Sequence, residues 1–531
     1  MKISSILNDV LGPIMTGPSS SHTAGPGKIA ASVLQLWGQP AHNVDIIYDS
    51  LGSYPNTHVG QGSDYGFAGG LLGLSLDDPK VRDSLELAEK LGVIIKFRVC
   101  PLSGSHPNEV RIDFLDNKTH KPSMSVLCFS TGGGTFQIVE LDGFPILHDG
   151  QRKRYYVACS IQVQDNIRQI LKKAKAIFNI REANTSGVTS LTLPSNDAVM
   201  FEIEASSLPN KVINEIRGFN GVYYVREVEP VVPVPLKLQS QATFSTAEEA
   251  LVYASEHDIT SLSDLAIVYE ESLGHANRET LQKKMESVLS AMRKSMSPPA
   301  DDETVPQYLV PRQAKVLKTK IPPIDMGVIN SCMGNAMAVM ENACAHRVIV
   351  AAPTAGSSGV IPACIVGIAE TLGFSDDKIL DALWGAGLIG AFIANQATFA
   401  AEVAGCQAEI GSSACMASAG VTSLMGGSIQ ECCNAASIAM QSMLGLICDP
   451  VAGLVEVPCI ARNITATAVT VMSANMALCD VKSPISLDET IQTMLEVGND
   501  LPASLKCTCN GGLCTTKTGK VLEEQVKKSR V

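Results

Sequence analysis

The alternation of apolar and polar residues divides the chain into three regions. In the first, up to about residue 150, GPGKIAASVLQLWG (25–38) predicts a helix whose start is marked by Gly and Pro. VDIIYDSLG (44–52) and EVRIDFLD (109–116) alternate as strands, and LCFSTGGGTFQIVELDG (127–143) reads as two strands around a glycine turn. In the second region YYVACSIQVQ (155–164) alternates as a strand, and Ile167, Ile170, Leu171, Ala174 and Ile177 mark a helix face. VTSLTLP (188–194) and AVMFEIEAS (198–206) predict strands joined by a turn at Ser195–Asp197, LPNKVINEIRGF (208–219) a helix, and VYYVREVE (222–229) a last strand. The order β-α-β-β-α-β is ferredoxin-like. PVVPVP (230–235) reads as a stiff extended linker. From Thr243 the pattern is helical. Beyond Met326 small residues at helix spacing and few charges predict a dense all-helical core. The expected class is α+β: a mixed α/β domain over 1–150, a ferredoxin-like module over 153–230, a linker over 231–242 and a helical domain over 243–531.

Composition narrows the function. The 531 residues are 45% hydrophobic and 18% charged, which excludes wholesale disorder. A net charge of −12 without a dense Lys/Arg run argues against a nucleic-acid partner. The apolar stretch Ile379–Ala404 is interrupted by Asp381, Asn395, Gln396 and Glu402, so a buried helix fits better than a membrane span. MKISSILNDVLGPIM is a poor signal peptide. The expectation is a cytoplasmic protein with reduced thiols, free to bind metal. Of its 16 cysteines, 13 follow residue 330.

Three constellations could carry chemistry. Thr16–Thr23 (TGPSSSHT) precedes the first helix, and hydroxyls, amides and a helix N-terminus together form an anion site. There Ser19, Ser20, Ser21 and Thr23 would hold a carboxylate, with His22 as acid or base; the same residues also fit a plain N-cap. GQGSD (60–64) offers Gln61, Ser63 and Asp64 beside His58, in a pattern that equally suits a simple turn. Cys406, Cys448 and Cys459 each sit at a Gly or Pro break, where amides can hydrogen-bond to sulfides; their spacing alone is not diagnostic of a metal. Cys332, Cys344, Cys415, Cys432 and Cys433 read as packing cysteines.

TGPSSSHTAGP, HPNEVRI, STGGG, APTAGSSGVIPA, GCQAEIG, CDPVAGLVEVPCIARN and GGL together resemble the iron–sulfur-dependent L-serine dehydratases over most of the chain. The resemblance implies a serine dehydratase β domain, an ACT-like regulatory module and a catalytic α domain. It implies deamination of L-serine to pyruvate and ammonia. It also implies a [4Fe–4S] cluster on Cys406, Cys448 and Cys459 whose fourth iron is open as a Lewis acid. His22, His58 and Gln61 become the catalytic candidates. The expected partners are a small amino-acid substrate and a second copy in a homodimer, with no nucleic acid and no membrane. Where the family has GHGTD this chain has GQGSD, so Gln61 stands in place of a histidine. That departure keeps two alternatives open: β-elimination on a related amino acid such as L-cysteine, or a non-catalytic amino-acid sensor. The run KCTCNGGLCTTKTGK adds three thiols with no assigned role.

Overall fold

The computed structural model describes residues 3–174, 177–184, 192–193, 197–237, 241–274, 276–299 and 309–529. A short antiparallel pair, β1 (Ile14–Thr16) and β12 (Val348–Val350), ties the first segment of the chain to the helical half, with Met15 opposite Ile349. A six-stranded sheet runs in the order β3-β2-β4-β5-β6-β7: β2 (Asn43–Asp49), β3 (Ile94–Cys100), β4 (Glu109–Leu115), β5 (Pro122–Gly132), β6 (Thr135–Leu141) and β7 (Phe144–His148). Only β2 and β3 are parallel. The helix Gly25–Trp37 lays Ile29, Ala30, Val33 and Leu36 on this sheet, against Val44, Ile46, Val110 and Ile112. Their i, i+4, i+7 spacing is the apolar stripe of an amphipathic helix.

A four-stranded antiparallel sheet follows in the order β11-β8-β10-β9, built from β8 (Arg154–Ser160), β9 (Ile177–Asn184), β10 (Ala198–Ala205) and β11 (Val222–Val228). Alternate residues of β8 serve two cores. Tyr155, Val157 and Cys159 face the helices Gln164–Lys173 and Asn210–Arg217, whereas Tyr156 and Ala158 join the core of the six-stranded sheet. The sequence placed Ile177 on a helix. The helix instead stops at Lys173, Ala174 adopts an extended conformation, and Ile177 opens β9. Most of the expected strand 188–194, and Ser195 of the expected turn, lie outside the described residues.

The rest is helical and packs around the helix Asp376–Gln396, which is apolar on every side and buried from Ile379 to Ile393 except at Asp381. Together with the stretch Ala355–Leu372 it has the length and apolarity of a membrane span, but 78% and 83% of the two windows are buried inside the protein. Into this core goes the beginning of the chain. Ile6, Leu7, Val10 and Leu11 are buried among the helices, where the missing side chains of Gly387 and Gly390 make room for Ile6 and Val10. A Cβ at Gly390 would stand 2.2 Å from Val10 Cγ1. The Glu270 carboxylate accepts from Ser5 Oγ, Ile6 N and Leu7 N, and Asn8 exchanges two hydrogen bonds with the backbone of Val234. The linker is therefore docked, with Val234 and Leu236 in the helical core.

Candidate active site

The serine-rich segment forms one π-helical turn, Ser20–Ala24, leading directly into the helix Gly25–Trp37. Ser19 caps it, its Oγ accepting from His22 N. A Cβ at Gly25 would collide with Ser130 Oγ and one at Gly66 with Thr23 O, so both glycines let the turn sit tightly between β5 and the helix Ser63–Leu71. Most of its hydroxyls have internal partners. Ser21 Oγ donates to Glu402 Oε1 at 2.7 Å, Thr23 Oγ1 donates to Gln61 O, and Ser20 Oγ accepts from Ala355 N. The backbone N–H groups at the head of the turn are the kind of donors that a helix start leaves for an anion.

His22 is fully buried with both ring nitrogens engaged. Nδ1 lies 2.9 Å from Ser21 Oγ and 3.2 Å from Glu402 Oε1, and Nε2 lies 3.0 Å from Ser53 Oγ, which in turn donates to Asn108 Oδ1. Burial would raise the Glu402 carboxyl, but the His22 imidazole and the Ser21 hydroxyl outweigh it and hold the group down at about 2. Glu402 lies on the short helix Ala401–Ala404, immediately before Cys406.

His58 is set differently. Its Nδ1 is 2.8 Å from Asp64 Oδ1, which also accepts from Tyr48 OH, and the ring borders a solvent cleft. Asp64 thus stands behind His58. Gln61 is buried, its Nε2 donating to Cys507 Sγ at 3.6 Å, and Ser63 is buried within the same turn.

In the helical domain Cys406 and Cys448, with Glu409, place their ligand atoms within 4.8 Å of one another. Cys459 begins the helix Cys459–Leu478, and both the Cys406 thiol and Glu409 act on it electrostatically. The expected set was Cys406, Cys448 and Cys459; the structure groups Cys406 and Cys448 with Glu409 and sets Cys507 against Cys448. Cys507 touches Cys448 by its side chain and donates a backbone bond to it, from its N–H to Cys448 O at 3.0 Å. Contact with Cys406 and Cys507, together with burial, raises the Cys448 thiol well above its ordinary value, and burial followed by Cys406 does the same to Cys459. A cation at the centre of these thiols would reverse both effects. Arg462, one turn into the same helix, adds positive charge beside Cys406 and Cys459 and pairs with Asp449 at 2.9 Å. Soft, unpaired, buried thiols of this kind fit an iron–sulfur group. Burial and then the neighbouring Glu402 push Glu409 up to about 8.

The two halves meet here. Asn463 donates to Gly356 O and Cys459 O and accepts from Gly359 N, fixing the APTAGSSG loop on the cysteine helix. The same loop donates from Ala355 N to Ser20. Sequence reasoning gave no role to Ser53, Asn108, Glu402, Glu409 or Cys507. Asn108 belonged to a recognised motif, and Glu402 had registered only as a polar break in an apolar stretch.

The family described as "Serine dehydratase alpha chain" matches residues 237–514. The "Probable L-serine dehydratase, alpha chain" of Bacillus subtilis is 34% identical over 286 residues, 53% of this chain and 95% of the relative. The "L-serine dehydratase, alpha chain" of Peptoniphilus asaccharolyticus is 34% identical over 288 residues, 54% of this chain and 98% of the relative. "L-serine dehydratase TdcG" of Escherichia coli is 28% identical over 520 residues, 94% of this chain and 96% of the relative. The chain belongs to the serine dehydratase alpha chain family, and its similarity to relatives extends through the mixed α/β half as well.

Proposed function

We propose that this protein deaminates L-serine to pyruvate and ammonia. The observation that carries the reading is the convergence of the Ser19–Thr23 turn, the APTAGSSG loop and Cys406, Cys448 and Cys459 on one buried region. Cys406, Cys448 and Cys459 would hold a [4Fe–4S] cluster. When bound, that cluster supplies a Lewis-acid iron for the departing β-hydroxyl of serine.

The remaining work falls to the chain's own groups. Backbone N–H groups at the head of the Ser20–Ala24 turn, with the Ser19 and Ser20 hydroxyls, receive the substrate carboxylate and align the α-hydrogen. A base then removes the α-proton. His58 suits the task better than His22: Asp64 fixes its Nδ1, and its Nε2 makes no hydrogen bond among the described residues. His22 is held on both sides and positions the turn against Glu402. Loss of the α-proton and the hydroxyl leaves an enamine, which tautomerises and hydrolyses to pyruvate and ammonia. Gln61 donates a hydrogen bond and stays neutral throughout. The four-stranded unit at 153–230 would act as an effector-binding module, pairing with its counterpart in a homodimer.

The test is anaerobic purification, an iron and sulfide count, and pyruvate release from L-serine and L-cysteine in parallel. Four irons per chain with turnover on L-serine is the expected result. Turnover confined to L-cysteine, or none with a full cluster, overturns the serine assignment.

A further inference from the structure

The loop Cys507–Cys514 lies directly on the Cys448–Pro450 segment. Cys448 N donates to Leu505 O, Cys507 N to Cys448 O, and Leu513 N to Asp449 Oδ2. Two of its thiols converge on one acceptor: Cys509 Sγ and Cys514 Sγ both donate to Pro450 O, at 3.5 and 3.1 Å, and they also contact each other. They line a cleft of about 240 Å³ with His58, Gly60, Ala452 and Lys520. Cys509 is half-buried and Cys514 buried. Cys509 has a left-handed backbone with φ of 58°, an unfavourable conformation for a residue bearing a Cβ, and the contacts of the loop with Cys448–Pro450 hold it there.

We propose that Cys509 and Cys514 are a redox site, closing reversibly into a disulfide at the mouth of the His58 cleft. The assignment rests on the shared acceptor, the mutual contact and the access through the cleft. The division of labour follows from their surroundings. Cys509 is half-buried and reachable through the cleft, while Cys514 is buried, so Cys509 is the attacking group and Cys514 the resolving one. The oxidant is a small-molecule disulfide. Cys509, as thiolate, attacks one of its sulfurs; that S–S bond breaks, and the released thiolate takes up a proton. Cys514 loses its proton, attacks the mixed disulfide at Cys509 and expels the second small thiol. Two protein thiols are oxidised and one disulfide is reduced. Pro450 O loses both S–H donors in the exchange.

The experiment equilibrates the anaerobically purified full-length protein with graded ratios of glutathione to glutathione disulfide. Free thiols are alkylated, and the peptides are read by mass spectrometry. The expected result is a Cys509–Cys514 disulfide that accumulates with oxidant and disappears with dithiothreitol. Cys514→Ser should trap glutathione on Cys509, whereas Cys509→Ser should leave Cys514 unmodified. Alkylation of both residues at every ratio, a disulfide joining Cys509 to Cys507, or no glutathione on the Cys514→Ser protein overturns the proposal. The wild-type measurement stands even if a variant fails to fold.

Discussion

The Gln61 carboxamide reaches Cys507 Sγ at 3.6 Å, joining the GQGSD motif to a thiol beside Cys448. An amide near sulfur can orient and donate; it cannot take a proton near neutral pH. Gln61→His should therefore change turnover on L-serine by less than about tenfold, or ~1.4 kcal/mol of barrier. Steady-state kcat on L-serine checks this. A gain of several hundredfold would mean that glutamine had disabled serine chemistry here.

The cysteines should separate into two groups. Replacing Cys406, Cys448 or Cys459 with Ala should abolish both the visible absorbance of the cluster and activity. Cys432→Ala should leave the iron in place, because Cys432 is buried on the helix Ile429–Gln441, outside the thiol group. Iron content after anaerobic reconstitution decides it, and a full complement in all three variants would sink the ligand assignment.

The two histidines should fail in different ways. His58→Ala should keep the cluster and stability while turnover falls by ~100-fold or more, the scale of a general base. His22→Ala leaves the buried Glu402 carboxylate with the Ser21 hydroxyl but without the imidazole, which costs at most about 3–5 kcal/mol. Its thermal midpoint should drop markedly. Normal stability in His22→Ala combined with lost turnover would return the base to His22.

Glu402 also sets an acid limit. Its carboxyl falls from 4.5 to about 2 on folding, so the folded state binds fewer protons than the unfolded state between those values. The stabilisation, on the order of 3 kcal/mol, is fully present above pH 4.5 and is lost as pH falls through 2. Denaturant melts across that window should show a slope for the wild type and a flatter one for Glu402→Gln.

Local patterns carried the reading where neighbours in sequence are neighbours in space. The helix Gly25–Trp37 and the alternating strand β8 satisfy their apolar faces by simple periodicity, so the pattern alone located them. Ile177 misled because it continued the spacing of Ile170 and Ala174 after the helix had ended; nothing local distinguishes the next turn of a helix from the first residue of a strand. At the site, the serine turn and the three cysteines stood in specific motifs. Glu402, Ser53 and Asn108 were obscure for the opposite reason: each gains its meaning from His22, far away in the chain. The same holds for Cys507, which is notable only because folding sets it on Cys448.

Ile6 and Val10, seated over Gly387 and Gly390, give the protein an unusual timetable of assembly. These residues leave the ribosome well before the helix Asp376–Gln396, yet their seats exist only once that helix has been made. At about 5–20 residues per second that is a wait of roughly 20–80 s. Until then the apolar segment must be kept from other partners, and the helical half completes its core last. Cutting the chain within the linker should therefore yield two fragments that reassociate when mixed, since each carries surface shaped only for the other.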